Sequence, residues 1–248
     1  MKNSNQRKSK SNKVIVTRAL SQARPLLQRL IALGFETFHL PTIEIQPPDD
    51  EGKELRESIQ NLAKYDWIIL TSSNGVEMFL REINDRTVLD QKQIAVIGSG
   101  TEKTLKQYGF EADLIPHDFS AEGLVQVFPA FQDKGRVLLP SATQARDFLP
   151  TALQKFGWTV DVVHAYQTCI PKHFDPFNNQ KIGADIIIFT SPSTIENFIS
   201  MYGLENMPPK IISIGPVTSN AIRNFNLGVD LEANPSNTQG IIDCLLNQ

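Results

Sequence analysis

The sequence predicts an α/β protein built as two similar doubly wound parallel-sheet domains joined by a two-stranded connector. Three observations predict it. Short apolar runs such as Val14–Val16, Trp67–Leu70 and Ile186–Phe189 alternate with amphipathic helical stretches, the pattern of a parallel sheet covered on both faces. The chain repeats itself at an offset of roughly 120 residues, and such self-similarity decides how a fold is divided. Two long extended segments closed by prolines, His39–Pro47 and Val162–Pro171, occupy corresponding places in the repeat and are suited to pair with each other.

In the first half the pattern places strands near 14–17, 36–45, 67–70, 94–97 and 112–114, with helices near 21–32, 53–63, 74–82, 101–107 and 120–127. The second half copies this arrangement. TSSNGVEMFL from Thr71 matches TSPSTIENFI from Thr190, and each follows an apolar strand that an Asp precedes, Asp66 or Asp185. IAVIGSGTEKTLKQYGFEADL from Ile94 matches IISIGPVTSNAIRNFNLGVDL from Ile211, and VIVTRALSQAR from Val14 matches RVLLPSATQAR from Arg136. The two Asp residues border strands in both halves, which suggests a structural role at the strand start. Right-handed crossovers connect such strands, and ligands sit outside their carboxyl ends.

The 248 residues are 41% hydrophobic and 21% charged with a net charge of −3, which gives no general affinity for nucleic acid. Positive charge gathers only in residues 1–12, where Lys2, Arg7, Lys8 and Lys10 sit among Asn, Ser and Gln, so these residues are expected to form a disordered basic tail. No apolar run approaches the roughly 20 residues that span a bilayer, and no secretory signal is visible, so a cytoplasmic or plastid-stromal location is expected, with no membrane partner. Cys169 and Cys244 have no companion at short spacing, and His39, His117, His164 and His173 form no ligand set, so no metal is expected.

Four strand-to-helix junctions carry small hydroxyl, amide and glycine residues: Thr71-Ser72-Ser73-Asn74-Gly75, Gly98-Ser99-Gly100-Thr101, Thr190-Ser191-Pro192-Ser193-Thr194 and Gly215-Pro216-Val217-Thr218. Ser, Thr and Asn cap a first turn, glycine admits a ligand to the backbone, and proline suits the first helical position. Free N–H groups and the positive dipole end make each junction an anion site in waiting, and four together favour a multiply anionic ligand. Taken singly, each also reads as an ordinary helix cap. GSGTEK lacks the spacing of a phosphate loop, no G-x-G-x-x-G follows a strand, and there is no G-x-S-x-G elbow.

Thr17-Arg18, Leu40-Pro41, TSSNGV, IGSGT, Tyr166, FTSPST, IGPVTSNAI and Asn234-Pro235-Ser236 follow one another in that order over nearly the full length. On these motifs the chain, from Val14 to Leu246, resembles the uroporphyrinogen-III synthase family. The sequence departs from the family pattern at Leu139-Pro140-Ser141, where an Arg often stands, and at Glu102, where Ala is common.

The resemblance implies that the first strand and helix join the C-terminal half. One domain would then be 13–38 plus 172–248, the other 46–162, with 39–45 and 163–171 as the connecting strands. It implies a cofactor-free lyase, a monomer acting on the small molecule hydroxymethylbilane, a linear tetrapyrrole with eight carboxylates. Tyr166 would be catalytic, meeting the departing hydroxyl or the transient cation. Arg18, Thr71, Ser72, Ser73, Asn74, Gly98, Ser99, Thr101, Ser141, Arg146, Thr190, Ser191, Pro192, Ser193, Gly215, Pro216 and Thr218 would bind substrate, several through backbone N–H groups. Arg18 and Arg146 can clamp carboxylates bidentately, Arg146 from a helix face. The alternative is a non-catalytic two-domain binding protein for a polyanionic small molecule.

Overall fold

The structure, a computed structural model, describes residues 12–130, 135–173 and 183–247. The tail expected over 1–12 lies, apart from Asn12, outside them. Alternating apolar strands and amphipathic helices assemble two five-stranded sheets, each in its own compact unit, with the chain dividing at Glu44/Ile45 and again at Thr168/Cys169.

In the first unit, strands β1 (Lys13–Val16) and β2 (Glu36–His39) are joined by helix α1 (Leu20–Ala32). The sheet is completed by β8 (Ile186–Phe189), β9 (Lys210–Ser213) and β10 (Leu231–Glu232), in the order β10-β9-β8-β1-β2, with every pair parallel. Helices α7 (Pro192–Tyr202), α8 (Pro216–Asn224) and α9 (Thr238–Leu246) cover it with α1. Alternate residues of a strand face opposite sides, so an all-apolar strand serves two cores. Val14, Val16, Ile186 and Ile188 pack with Leu26, Leu30 and Ile241 on one face; Ile15, Ile187 and Phe189 pack with Ile195, Phe198 and Ile222 on the other.

The second unit has the sheet order β3-β7-β6-β4-β5, with β3 (Glu44–Gln46), β4 (Trp67–Leu70), β5 (Gln93–Val96), β6 (Arg136–Ala142) and β7 (Thr159–Cys169). Its helices are α2 (Lys53–Gln60), α3 (Ser73–Arg81), α4 (Ser99–Gln107), α5 (Ala121–Val127) and α6 (Phe148–Lys155). Ile68, Leu70 and Leu138 fill one core with Phe79 and Leu105, while Trp67, Ile69, Val137 and Leu139 fill the other with Leu124, Leu153 and Trp158. The two extended segments singled out in the sequence meet here: β3 and β7 are hydrogen-bonded neighbours and form the outer two strands of this sheet.

The repeat is visible atom by atom. Asp66 Oδ2 accepts the backbone N–H of Arg136 at 2.8 Å, and Asp185 Oδ2 accepts that of Lys13 at 2.8 Å, so both residues close the start of a neighbouring strand. Asp113 takes the N–H of Ile94 and Asp230 that of Ile211, each at 2.7 Å. Gly34 (φ 88°) and Gly157 (φ 95°) end α1 and α6 in the left-handed conformation that glycine adopts without strain.

Two expected strands are corrected. The stretch 36–45 is two strands in two different sheets. After β2 the N–H groups of Leu40 and Thr42 still reach Val16 O and Thr17 O at 3.0 Å, and then Thr42 Oγ1 bonds Thr194 O at 2.9 Å, which ends the pairing with β1. The strand at 112–114 is reduced to a single bridge between Ala95 and Leu114, because the Asp113 carboxylate takes the Ile94 N–H that a longer ladder would use.

At the start of β6, Arg136 donates to both oxygens of Asp161 at 2.9 and 3.1 Å, and Tyr65 donates to the same carboxylate at 2.7 Å. Burial pushes the Asp161 carboxyl up, but the hydrogen bonds from Arg136 and Tyr65 and the charges of Arg136 and Lys64 outweigh it, leaving the group below its ordinary value. A depressed folded value stabilises the fold above the unfolded value near 4 and is lost as pH falls through the folded one. Asp161→Asn is therefore expected to cost about 1–2 kcal/mol at pH 7, discounted for exposure of the Arg136 side chain, and much less at pH 3. Urea melts at the two pH values check this, and an equal loss at both would refute it.

Candidate active site

The loops at the carboxyl ends of each sheet carry the polar residues expected there. In the second unit, Thr71 leaves β4 half-buried and Ser72 is the extended N-cap of α3 (φ −151°, ψ 156°), its Oγ accepting from Gly75 N at 3.0 Å. Ser73 donates from its hydroxyl to Gly100 O at 3.2 Å and accepts from Thr104 Oγ1 at 3.0 Å, so the first turns of α3 and α4 are tied together. Gly98 is the N-cap of α4, Ser99 its first residue, and Thr101 is buried.

Tyr166 sits beside them because of a defect in the ladder. β7 pairs Ser141 with His164 but Ala142 with Tyr166, leaving Ala165 unopposed. Strict alternation would send Tyr166 to the face that His164 occupies, where His164 is exposed. The bulge instead swings Tyr166 into the core that holds Val163 and Ala165, with the residue 7% exposed. Thr143 fixes the backbone there, donating to Tyr166 O from its N–H at 2.9 Å and from its hydroxyl at 3.1 Å. The phenol oxygen lies 2.9 Å from Ser72 Oγ. Burial pushes the phenol above its ordinary value, while hydrogen bonds with Ser72 and Asn74 pull the other way.

Ser141 is buried near the end of β6, with its hydroxyl 3.4 Å from Ala142 O. Arg146 is a correction. It does not lie on a helix face but in the exposed connection before α6, since a turn closed by Ala145 N to Ala142 O and the Thr143 anchor on β7 delay the helix to Phe148. The matching Gln-Ala-Arg of the first half lies inside α1.

In the first unit Arg18 follows β1, half-buried, with Nε donating to Gln22 Oε1 at 2.8 Å and its backbone carbonyl 2.8 Å from His39 Nε2. Ser191 is the N-cap of α7 and Pro192 its first residue. Thr194 Oγ1 accepts from Thr190 N and Ser191 N at 3.3 and 3.2 Å and donates to Ser191 O, while the Ser191 and Ser193 hydroxyls are 2.9 Å apart. Gly215 is the N-cap of α8, with Pro216 exposed and Thr218 buried. A Cβ on Gly215 would stand 2.2 Å from Ser236 Oγ, so glycine is required there by close approach.

Sequence reasoning named Thr194 only as part of its junction and missed two other residues that hold these loops: Asn197, which donates to Thr42 O at 2.9 Å, and Thr104. Thr194 had a local signal, three residues after Ser191, as a capping hydroxyl. Thr104 had none, since its partner Ser73 is 31 residues away. Among the described residues no three His, Cys, Asp or Glu side chains are grouped as a metal centre requires, and no helix is long and apolar enough to cross a membrane.

Residues 24–243 match the family model described as uroporphyrinogen-III synthase HemD. The chain belongs to that family. It is similar to the uroporphyrinogen-III synthase of Synechococcus elongatus, with 32% identity over 92% of each chain. A putative uroporphyrinogen-III synthase of Methanocaldococcus jannaschii shares 31% identity over 86% of this chain and 89% of its own. In fold it resembles a mutant uroporphyrinogen III synthase from the extremely thermophilic bacterium Thermus thermophilus, with a TM-score of 0.65 at 17% identity over 96% of this chain and 100% of that one. The uroporphyrinogen-III synthetase of Helicobacter pylori gives a TM-score of 0.63 at 19% identity, covering 95% and 99%. The two-domain α/β fold of uroporphyrinogen-III synthases is thus the fold of this chain, carried here by two largely parallel sheets.

Proposed function

We propose that this protein acts as a uroporphyrinogen-III synthase through Tyr166, converting hydroxymethylbilane into uroporphyrinogen III and one water. The observation that carries the residue assignment is the buried phenol of Tyr166, delivered by a bulge to the strand-end loops and hydrogen-bonded to the capping Ser72. The phenol donates a proton to the hydroxyl leaving ring A, which departs as water and leaves a delocalised cation. The substituted carbon of ring D attacks that cation to form a spiro intermediate. The bond from the spiro centre to the adjoining bridge carbon then breaks and re-forms at the unsubstituted α-carbon of ring D, on the other side of the pyrrole nitrogen, which inverts ring D, and loss of the proton from that carbon restores the pyrrole and the tyrosine. Without guidance the cation closes to the type I isomer, so selection is chiefly positional. Near-attack geometry, with effective molarities on the order of 10^5 M or more, can decide between closures without a strong acid.

The carboxylates are received by the N-termini of α3, α4, α7 and α8, at Ser72–Asn74, Gly98–Thr101, Thr190–Ser193 and Gly215–Thr218, with Arg18 after β1 and Ser141 near the end of β6 as further donors. Because backbone N–H groups do most of this work, Thr190→Ala and Ser193→Ala are expected to raise KM by about threefold or less, the effect of a change within about 0.5 kcal/mol. Steady-state kinetics check it, and a tenfold rise would assign direct side-chain binding instead. The reading carries with it the folding domains 13–38 plus 172–248 and 46–162. It also carries a monomer of the cytoplasm or plastid stroma, with no resident cofactor and no nucleic-acid partner.

The test supplies freshly generated hydroxymethylbilane, oxidises the products and separates the isomers. Predominant type III, absent from a protein-free control, is expected; type I alone from folded protein would favour a non-catalytic binding protein.

A further inference from the structure

Ser72 has one proton and two demands on its oxygen. Its Oγ accepts the N–H of Gly75 at 3.0 Å as the cap of α3, which occupies one lone pair, and it lies 2.9 Å from the phenol oxygen of Tyr166. Each hydroxyl can donate once, so one of the two protons lies between them and the other is free. A hydroxyl already accepting a backbone N–H is polarised toward donation, which sends the Ser72 proton to Tyr166. Hydrogen bonds with Ser72 and Asn74 oppose the rise in the phenol value that burial causes. A phenol oxygen that accepts from Ser72 keeps its own proton available.

Resting on the assignment of Tyr166 above, we infer that Ser72 is a positioning residue, which caps α3 and donates to Tyr166 so that the phenol proton is held for the ligand. Ser72 then acts through Tyr166 rather than by holding a carboxylate with its hydroxyl. This couples two features that are separate in the sequence, the TSSNG junction and Tyr166, which lies 94 residues after Ser72. The bulge is what makes the coupling possible, because it brings the phenol to the side of the strand that α3 packs against.

The experiment measures kcat and KM for type III formation in the intact protein and in Ser72→Ala, Ser72→Thr, Tyr166→Phe and the Ser72→Ala/Tyr166→Phe double variant, with Tm for each. Ser72→Ala is expected to lower kcat about five- to twentyfold, the size of one lost hydrogen bond, with KM within about twofold. Ser72→Thr, which keeps the hydroxyl, recovers most of that loss. In the Tyr166→Phe background Ser72→Ala changes kcat by less than about twofold, since the group it positions is gone. Should Ser72→Ala fold poorly, Ser72→Gly removes the hydroxyl at a capping position that tolerates glycine.

A rise in KM alone would assign Ser72 to direct ligand binding and overturn the inference. So would an effect of full size in both backgrounds, or a loss that follows Tm and is not recovered by threonine. If Tyr166→Phe itself leaves kcat unchanged, the assignment of Tyr166 fails first, and that outcome is distinguishable from the failure of Ser72 alone.

Discussion

Tyr166→Phe is expected to slow type III formation roughly ten- to thousandfold while leaving measurable turnover, the usual size of one lost acid-base contact. The ring is retained, so the packing that places it among Val163, Ala165 and Leu138 persists and only the hydroxyl is lost. Stability should change little beyond the about 1 kcal/mol attached to its hydrogen bond with Ser72. The effect belongs in kcat more than KM, because the phenol meets the departing hydroxyl and not the carboxylates that anchor the substrate. The raised phenol value adds a pH signature. Ordinary tyrosine ionises near 10, and burial moves Tyr166 above that, so its proton is retained through the neutral and mildly alkaline range and causes no loss of rate below pH 10. Rapid-quench assays with isomer analysis read both, and unchanged turnover with an unchanged isomer ratio would remove Tyr166 from the chemistry.

Phe198→Ala carries the largest expected loss of stability. Phe198 is fully buried on α7, with its ring 5.7 Å from that of Phe189 at 75° and 5.2 Å from that of Tyr202. Truncation removes the transfer free energy of the ring, leaves a cavity among residues that are themselves buried, and forfeits two aromatic contacts, in all about 3–5 kcal/mol. At about 2–4 °C per kcal/mol for a chain of this size, the transition that reports the first unit should fall by roughly 6–20 °C in calorimetry. A fall under about 3 °C would mean that α7 collapses onto the sheet and refills the space.

Much of the fold was legible because the residues that build it act locally or by simple periods. The apolar strands, the helices between them and the Asp residues that border strands needed only alternation and the repeat, and the hydrogen bonds of Asp66 and Asp185 supply the atomic reason for that border position. The exchange of the first strand into the C-terminal sheet came from family likeness, since no local pattern distinguishes β1 as a partner of β8 from β1 as a partner of β4.

The site was legible in composition but not in geometry. The junction residues were named, yet alternation along β7 sends Tyr166 to the wrong face, and only the unopposed Ala165 corrects it. Arg146 was misplaced for a related reason. Its Gln-Ala-Arg copies a helical stretch of α1, but in the second half the backbone is held by Thr143 to β7, a contact 23 residues away that a local window does not contain. Thr104, bound to Ser73 from the next helix, is invisible for the same reason.

The place of β1 between β8 and β2 also orders events on the ribosome. Lys13 must wait for Asp185, 172 residues later, before the start of its strand is closed, whereas everything that the second sheet needs lies within one uninterrupted stretch of chain. At synthesis speeds of about 5–20 residues per second, that wait lasts roughly 10–35 s. During that time β1 can pair only with β2 and α1 can pack only on those two strands, so the edge of β1 that meets β8 has no native partner, while the middle of the chain can complete its own core. The nascent N-terminal segment is thus the part of this protein most dependent on a chaperone or on rapid translation, and moving it by circular permutation to follow α9 would remove the delay.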